Sequence, residues 1–361
     1  MMNLDIVSTL SCFGRQPLTH PPSFIEAKYR TWQLGLPIAL PTDINGKAIP
    51  GIIAIGGGKG GVGKSMLSAN LATSLGRFGR RVLVVDMDLG GANLHTHFGI
   101  PMPARTLADF VINKNVPINE VILPTSIGGV NLIAAGREEE WGGWLAGQQD
   151  MSAIWQALPL LRREYNTDYV IFDLGAGTSN YTMQFFSAAH MGITTVLPEP
   201  TSIENAYVFI KTALWKLIDT LGQRLGEQQA AGEVLQLLAL NAPRNASSGY
   251  VDCFRKIYAK NPQFIAKVWE LMKSRMIGIV INQTREQSDI DIGKSMEHLC
   301  ARFFGFNTQY LGYLNYDESV WKSLRNRRML VRDFPHSLIA KKVGKIASEI
   351  VFQLEKNGEK Q

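Results

Sequence analysis

The chain has 361 residues, of which 45% are apolar and 19% charged, and its formal net charge is +6. That length suits one large domain with additions and can bury a sizeable core. No run is long and apolar enough to cross a bilayer, no secretory signal opens the sequence, and Cys12, Cys253 and Cys300 are too scattered for a disulfide framework or a cysteine metal site. The expected compartment is the cytoplasm, and the modest positive charge permits nucleic acid or acidic lipid as a partner without arguing for either.

Residues 1–50 carry Pro17, Pro21, Pro22, Pro37, Pro41 and Pro50 and show no sustained period, so they read as an N-terminal extension. From Gly51 onward short apolar runs (IIAIG, VLVVD, VNLIAA, YVIFD, TTVLP, IGIVIN) alternate with segments of helical spacing. The spacing predicts helices over Lys64 to Phe78, Met151 to Glu164, Ser179 to Ala189, Ile203 to Thr220, Asp289 to Phe304 and Ser337 to Leu354. The expected fold is therefore α/β, a mostly parallel sheet with helices on both faces, spanning residues 51–361. Leu221 to Arg275 interrupts the alternation and reads as a helical insertion, because structureless loops of that length are uncommon in compact domains.

The first apolar run leads into GGGKGGVGKS, Gly56 to Ser65, and then a helix. Strand, glycine-rich turn and helix are the context of a phosphate-binding loop: glycines let successive N–H groups face phosphate oxygens, and the helix N-terminus adds its dipole. Gly58, Gly60, Gly61, Val62, Gly63, Lys64, Ser65 and Met66 are the expected nucleotide-binding residues. In that pattern the Lys64 ammonium reaches the β- and γ-phosphates and the Ser65 hydroxyl ligates Mg²⁺. Lys59, on the outer edge of the loop, is expected to have little to contact within its own chain.

KGGVGKS, Lys59 to Ser65, resembles the deviant Walker A motif of the MinD/ParA family of P-loop ATPases. The resemblance implies that Lys59 reaches across a nucleotide-sandwich homodimer to the phosphates held by the other subunit. DMDLGGANLHTHFGI, Asp86 to Ile100, is similar to the family's switch I segment, which implies Asp86 near Mg²⁺ and Asp88 orienting the attacking water; Asn93 matches the family asparagine there. YVIFDLGAG resembles Walker B, with Asp173 opposite the metal and a switch II loop beyond it. IVINQTR places Asn282 at the asparagine that recognises adenine, and LGYLNYDESV resembles the segment that closes over the base, with Asn315 where proline is usual. The implied ligands are ATP and Mg²⁺, and the implied catalytic set is Lys59, Lys64 and Asp88. Slow, partner-stimulated hydrolysis is expected, because a carboxylate that only positions water supplies little driving force.

Within the family the chain looks closest to the FlhG (FleN) branch, with MinD next, on the strength of DLGAGTS, LPEPTSIENAY and RDFPHSLIAKKVGKIASEI. The first reading is a dimerising switch ATPase that sets the placement or number of a structure such as the flagellum. Two alternatives stand beside it: a nucleotide-gated module that sequesters a transcription or assembly factor, and a ParA-like partition ATPase that binds DNA nonspecifically. Iron–sulfur scaffold ATPases are disfavoured because their CxxC is absent. An unidentified protein partner is expected. A membrane surface would be met by the C-terminal helix, transiently or at a pole. Its Ile339, Val343, Ile346, Ile350 and Leu354, however, read first as a core-facing stripe. DNA would be met by the basic clusters Arg255 to Arg275 and Lys322 to Lys345, which read first as surface charge. In the insertion, Phe254, Tyr258, Phe264 and Trp269 read as local core rather than a base-stacking platform. His95 and His97 are placed on a loop, with no metal site other than that of nucleotide-bound Mg²⁺.

Overall fold

In the computed structural model the described residues are 51–113, 115–144, 151–240, 258, 260–305 and 307–358. The expected extension over 1–50 lies outside them, as do residues 241–257 of the expected insertion. The first half of the chain forms β1 (Ile52–Gly56), α1 (Lys64–Arg77), β2 (Val82–Met87), α2 (Leu94–His97), α3 (Leu107–Ile112), β3 (Leu123–Pro124), β4 (Val130–Ile133), α4 (Glu138–Trp141), α5 (Ser152–Tyr165) and β5 (Tyr169–Leu174). The second half forms α6 (Asn180–Ala188), β6 (Met191–Val196), α7 (Pro200–Leu225), α8 (Gln228–Leu240), α9 (Pro262–Ser274), β7 (Met276–Thr284), α10 (Gln287–Phe304), β8 (Asn307–Asn315), α11 (Glu318–Arg325), α12 (Leu330–Asp333) and α13 (Leu338–Gly358).

The strands make one sheet in the order β3-β4-β2-β5-β1-β6-β7-β8. All neighbours run parallel except the short edge strand β3, which is antiparallel to β4. Because side chains alternate across a strand, each apolar run serves two cores at once. Ile52 and Ala54 face the core under α5 to α10, and Ile53 and Ile55 face the core under α1, α12 and α13. The same parity sends Leu83, Val85, Val170 and Phe172 to the first side and Val82, Val84, Tyr169 and Ile171 to the second. Asp86 and Asp173 continue the second parity and so end their strands facing α1.

Helix α1 is buried along most of its length, from Met66 to Leu75. Asn70, Thr73 and Ser74 each donate to the carbonyl four residues back, at 2.8–2.9 Å, whereas the Ser68 hydroxyl turns off the helix toward Asp173. The C-terminal helix α13 places Ile339, Val343, Ile346, Ile350 and Leu354 in the core, as their spacing predicted. In the helical segment, Phe264 and Trp269 of α9 are buried in the other core. Arg275, at the edge of the first basic cluster, is likewise buried rather than on the surface, and its Nη1 donates to the Ala189 carbonyl.

Four expectations are corrected. The helix expected over 203–220 runs unbroken from Pro200 to Leu225, so the segment expected to begin as an insertion at Leu221 starts inside a helix. Pro at the first helical position opens α7, and Gly226, with φ +70°, closes it. The strand expected over TTVLP begins earlier, at Met191, because its pairing with β1 starts there. NTQYLGYLN is a strand, β8, that the alternation of apolar runs did not predict; as an edge strand it is only intermittently buried. His95 and His97 lie on the one-turn helix α2 rather than on a loop.

His190 joins the start of β6 to the start of β1: its Nδ1 accepts the Ile52 N–H at 2.9 Å. Burial, reinforced by the positive charge of Arg275, lowers its pKa to about 3. The folded state thus holds His190 neutral where the unfolded chain protonates it, so stability is present above the ordinary histidine pKa and is lost as pH falls through the acidic range. The expected loss from this one group at pH 5 is on the order of 2 kcal/mol. His190→Leu should be less stable than wild type at pH 8, having left the Ile52 N–H unpaired, yet show a shallower decline between pH 8 and 5 in urea denaturation.

Candidate functional site

The phosphate loop closes the C-terminal end of β1 and delivers the chain into α1. Val62, Lys64 and Met66 are buried, Ser65 and Gly63 are half-buried, and Gly60 and Gly61 lie exposed at the tip. Gly63 has φ +94°, the left-handed region that favours glycine, and a Cβ there would lie 2.2 Å from Asn282 Nδ2. Gly58 is required for a different reason: a Cβ on it would stand 2.4 Å from the Asn205 carbonyl oxygen at the start of α7.

Beneath the loop two carboxylates sit side by side, since β2 and β5 pair with Asp86 opposite Asp173. Both are fully buried. Asp86 Oδ1 accepts the Asp88 N–H at 3.0 Å and Oδ2 the Leu94 N–H at 3.2 Å, so the loop after β2 is wrapped around its own strand-end carboxylate. Asp173 Oδ1 accepts from the Ser68 hydroxyl at 2.8 Å, while its Oδ2 is buried with no hydrogen-bond partner. Burial raises the pKa of both acids; for Asp86 the negative charge of Asp173 adds to it. Hydrogen bonds from Ser65 and Ser68 and the charge of Lys64 pull Asp173 back toward the ionised form. An orphaned carboxylate oxygen next to a hydroxyl and a second carboxylate is the oxygen-rich donor set a hydrated divalent cation takes, so the residues present fit such an ion.

Asp88 is half-buried and lies against the loop after β5: a Cβ on Gly175 would be 3.1 Å from its Oδ1. Two residues on, the Gly177 N–H donates to the Gly57 carbonyl at 3.2 Å. The segments following β2 and β5 therefore touch each other and the phosphate loop. Asn93 is exposed, its side chain donating back to the Gly91 carbonyl at 2.8 Å.

Lys59 departs from expectation. Its Nζ is 3.2 Å from Glu199 Oε2, so the outer lysine does have a partner in its own chain. The close approach of α7 to Gly58 is what brings the residue just before that helix within reach. Asn282 is brought to the loop, but its amide is engaged: Nδ2 donates to the Val62 carbonyl at 2.8 Å and Oδ1 accepts the Gln283 N–H at 2.9 Å. Asn315 is also engaged, Nδ2 donating to Thr284 Oγ1 at 3.2 Å and Oδ1 accepting from Lys342. Sequence reasoning missed Ser68, Glu199 and Asn205. Ser68 was findable, since it lies one helical turn beyond Lys64; the other two come from a distant element.

Residues 53–331 match the family model described as the CobQ/CobB/MinD/ParA nucleotide binding domain. The chain belongs to this MinD/ParA family. It is 31% identical to the antiactivator FleN of Pseudomonas aeruginosa over 79% of this chain and 81% of that protein. It is 35% identical to the flagellum site-determining protein YlxH of Helicobacter pylori over 44% of this chain and 52% of that one. Among solved structures it resembles the septum site-determining protein MinD of Pyrococcus horikoshii complexed with Mg-ADP, with a TM-score of 0.52 and 21% identity over 83% of this chain and 95% of that one. It also resembles apo McdA of Cyanothece, with a TM-score of 0.55 and 13% identity over 83% and 99% of the two chains. These two likenesses speak for the fold, a MinD/ParA P-loop sheet.

The side-chain geometry makes Asn282 a brace for the loop. Asn282→Ala should weaken ATP and GTP by a similar factor, roughly tenfold, as the Val62 carbonyl is left unpaired. Isothermal titration with each nucleotide checks this, and a loss confined to ATP would instead place the amide on the base.

Proposed function

We propose that this MinD/ParA ATPase is a dimerising switch: MgATP bound at Gly58 to Met66 brings two copies face to face, and hydrolysis parts them. The observation that carries the reading is the division of labour between the two lysines. Lys64 is buried beside the carboxylate pair, whereas Lys59 stands on the rim, held only by an exposed ion pair with Glu199.

In this reading Lys64 and the loop N–H groups bind the phosphates, and Ser65, Asp86 and Asp173 hold Mg²⁺. When bound, the metal neutralises charge on the β- and γ-phosphate oxygens. Asp88, at the meeting point of the two segments, orients the attacking water, and a group that only positions water leaves the reaction slow. Asn282 and the 311–320 segment flank the nucleoside. Lys59 leaves Glu199 for the polyphosphate of the second copy.

The relatives' names supply the output: one is an antiactivator, another a flagellum site-determining protein. We read the chain as a regulator of the placement or number of a cellular structure such as the flagellum, acting on a protein partner that the ATP-bound dimer restrains or releases. The added segments, residues 1–50 and about 226–275, are where partner specificity would reside. Among the described residues no helix is long and apolar enough to cross a membrane. We place the protein in the cytoplasm, and nonspecific DNA binding through the basic clusters stays as a second activity to test.

Light scattering separates the roles. With ATP, Asp88→Ala should accumulate as a dimer, and the double variant with Lys59→Ala should bind ATP yet stay monomeric. Lys64→Ala should lower ATP affinity by about ten- to a hundredfold. An Asp88→Ala protein that is monomeric with saturating ATP sinks the dimer switch.

A further inference from the structure

Asp88 opens a turn, its carbonyl accepting the Gly91 N–H at 3.2 Å, and its side chain lies between two glycines. A Cβ on Gly91 would stand 3.4 Å from both carboxylate oxygens, and one on Gly175 3.1 Å from Oδ1. Among the described residues nothing hydrogen-bonds those oxygens; the bonds at Asp88 are made by its backbone. The glycines leave the group room to turn. A carboxylate that orients a water has to be held in one direction itself, by a donor from a neighbouring element.

The start of α6 gathers hydroxyl groups beside it. Ser179 caps the helix, its Oγ accepting the Thr182 N–H at 3.3 Å, and the Ser179 and Thr182 hydroxyl oxygens are 2.7 Å apart. Thr182 is fully buried. Tyr181, between them in sequence, packs its ring against the core under α5 to α10 and is half-buried. Burial raises the pKa of its phenol; hydrogen bonding with Ser179 opposes the rise, the negative charge of Asp88 adds to it, and hydrogen bonding with Thr182 opposes it again. Among the described residues Asp88 is the one charge that acts on the phenol. The phenol is therefore protonated at neutral pH, and it is a donor that the mechanism has not used.

The proton count sets the direction of the cluster, since each hydroxyl has one proton to give. With the Ser179 oxygen taking both the N–H and the O–H of Thr182, the Ser179 proton goes to the phenol oxygen. The phenol's own proton is left for an acceptor outside the cluster. We propose that Tyr181 is a positioning residue for hydrolysis: its O–H, backed by Ser179 and Thr182, donates to the Asp88 carboxylate and fixes the direction in which Asp88 presents its oxygens to the attacking water. The proposal rests on the role that the switch reading gives to Asp88. Hydroxyls linked in this order polarise one another toward the carboxylate at the end of the chain. Because Ser179 also caps α6, the phenol is carried on the same helix start as the loop whose Gly177 N–H meets the phosphate loop at Gly57.

Tyr181→Phe keeps the ring and deletes the donor. In single-turnover hydrolysis, with the full chain in excess over ATP and with Mg²⁺ present, its rate at saturation should fall about tenfold. The protein concentration at half-saturation, the ATP affinity by titration and the melting temperature should stay as in wild type. In the Asp88→Ala background the same change should cost less than about twofold, because the group it orients is gone. Tyr181→Leu, which also removes the ring, should melt lower yet hydrolyse no more slowly than Tyr181→Phe. A Tyr181→Phe protein that hydrolyses as wild type does, a change confined to half-saturation, an equal loss in both backgrounds, or rates that follow melting temperature across the two variants overturns the proposal and leaves Asp88 in its role. Wild-type hydrolysis by Asp88→Ala overturns the role of Asp88 and this proposal with it.

Discussion

Two carboxylates buried side by side at the ends of adjacent parallel strands govern the rest of the molecule. Asp86 and Asp173 are in register and fully buried, in a region where each raises the cost of ionising the other. Such a pair is tolerable only where positive charge and hydrogen-bond donors converge on it. The fold supplies both from α1: Lys64 at its first turn and the Ser65 and Ser68 hydroxyls along one side. The N–H groups of Asp88 and Leu94 complete the set for Asp86. One Asp173 oxygen is still left without a donor, and that is the deficit the proposed Mg²⁺ would fill.

The parity of the strands makes this arrangement legible from sequence. Once VLVVD and YVIFD are read as strands buried on both faces, both terminal aspartates must share a side, and the phosphate loop says which helix lies there. What sequence could not show were contacts fixed by the packing of distant elements. Glu199 reaches Lys59 across 140 positions only because α7 passes over Gly58, and nothing local in either segment announces that approach. Strand β8 was missed for a related reason. Its central residues alternate with partly exposed ones and it sits at the sheet edge, so it lacks the unbroken apolar run that made the inner strands plain.

Asn315 shows how a departure from family pattern is absorbed. A proline at that position would hold the chain by its ring. Here the asparagine amide donates to the Thr284 hydroxyl and carbonyl on β7 and accepts from Lys342 on α13. Tyr316 adds a backbone bond to the same Thr284 carbonyl, at 3.0 Å. Rigidity from a covalent ring is replaced by a set of hydrogen bonds joining two strands and a helix. The turn into α11 is thus anchored from behind, which lets the helix itself stand almost free of the core.

The Lys59–Glu199 pair bears on how a switch of this kind could be poised. Both side chains are substantially exposed, and ion pairs of that sort contribute only about 0–1 kcal/mol. The pair orients the lysine along the rim of the loop without holding it strongly. A triphosphate presented by a second copy carries several negative charges into a region that closure would dry, where the same lysine gains far more than it loses by leaving Glu199. An intrachain partner for the outer lysine is therefore compatible with the proposed role between chains, because an exposed pair of this strength is readily exchanged for a stronger acceptor.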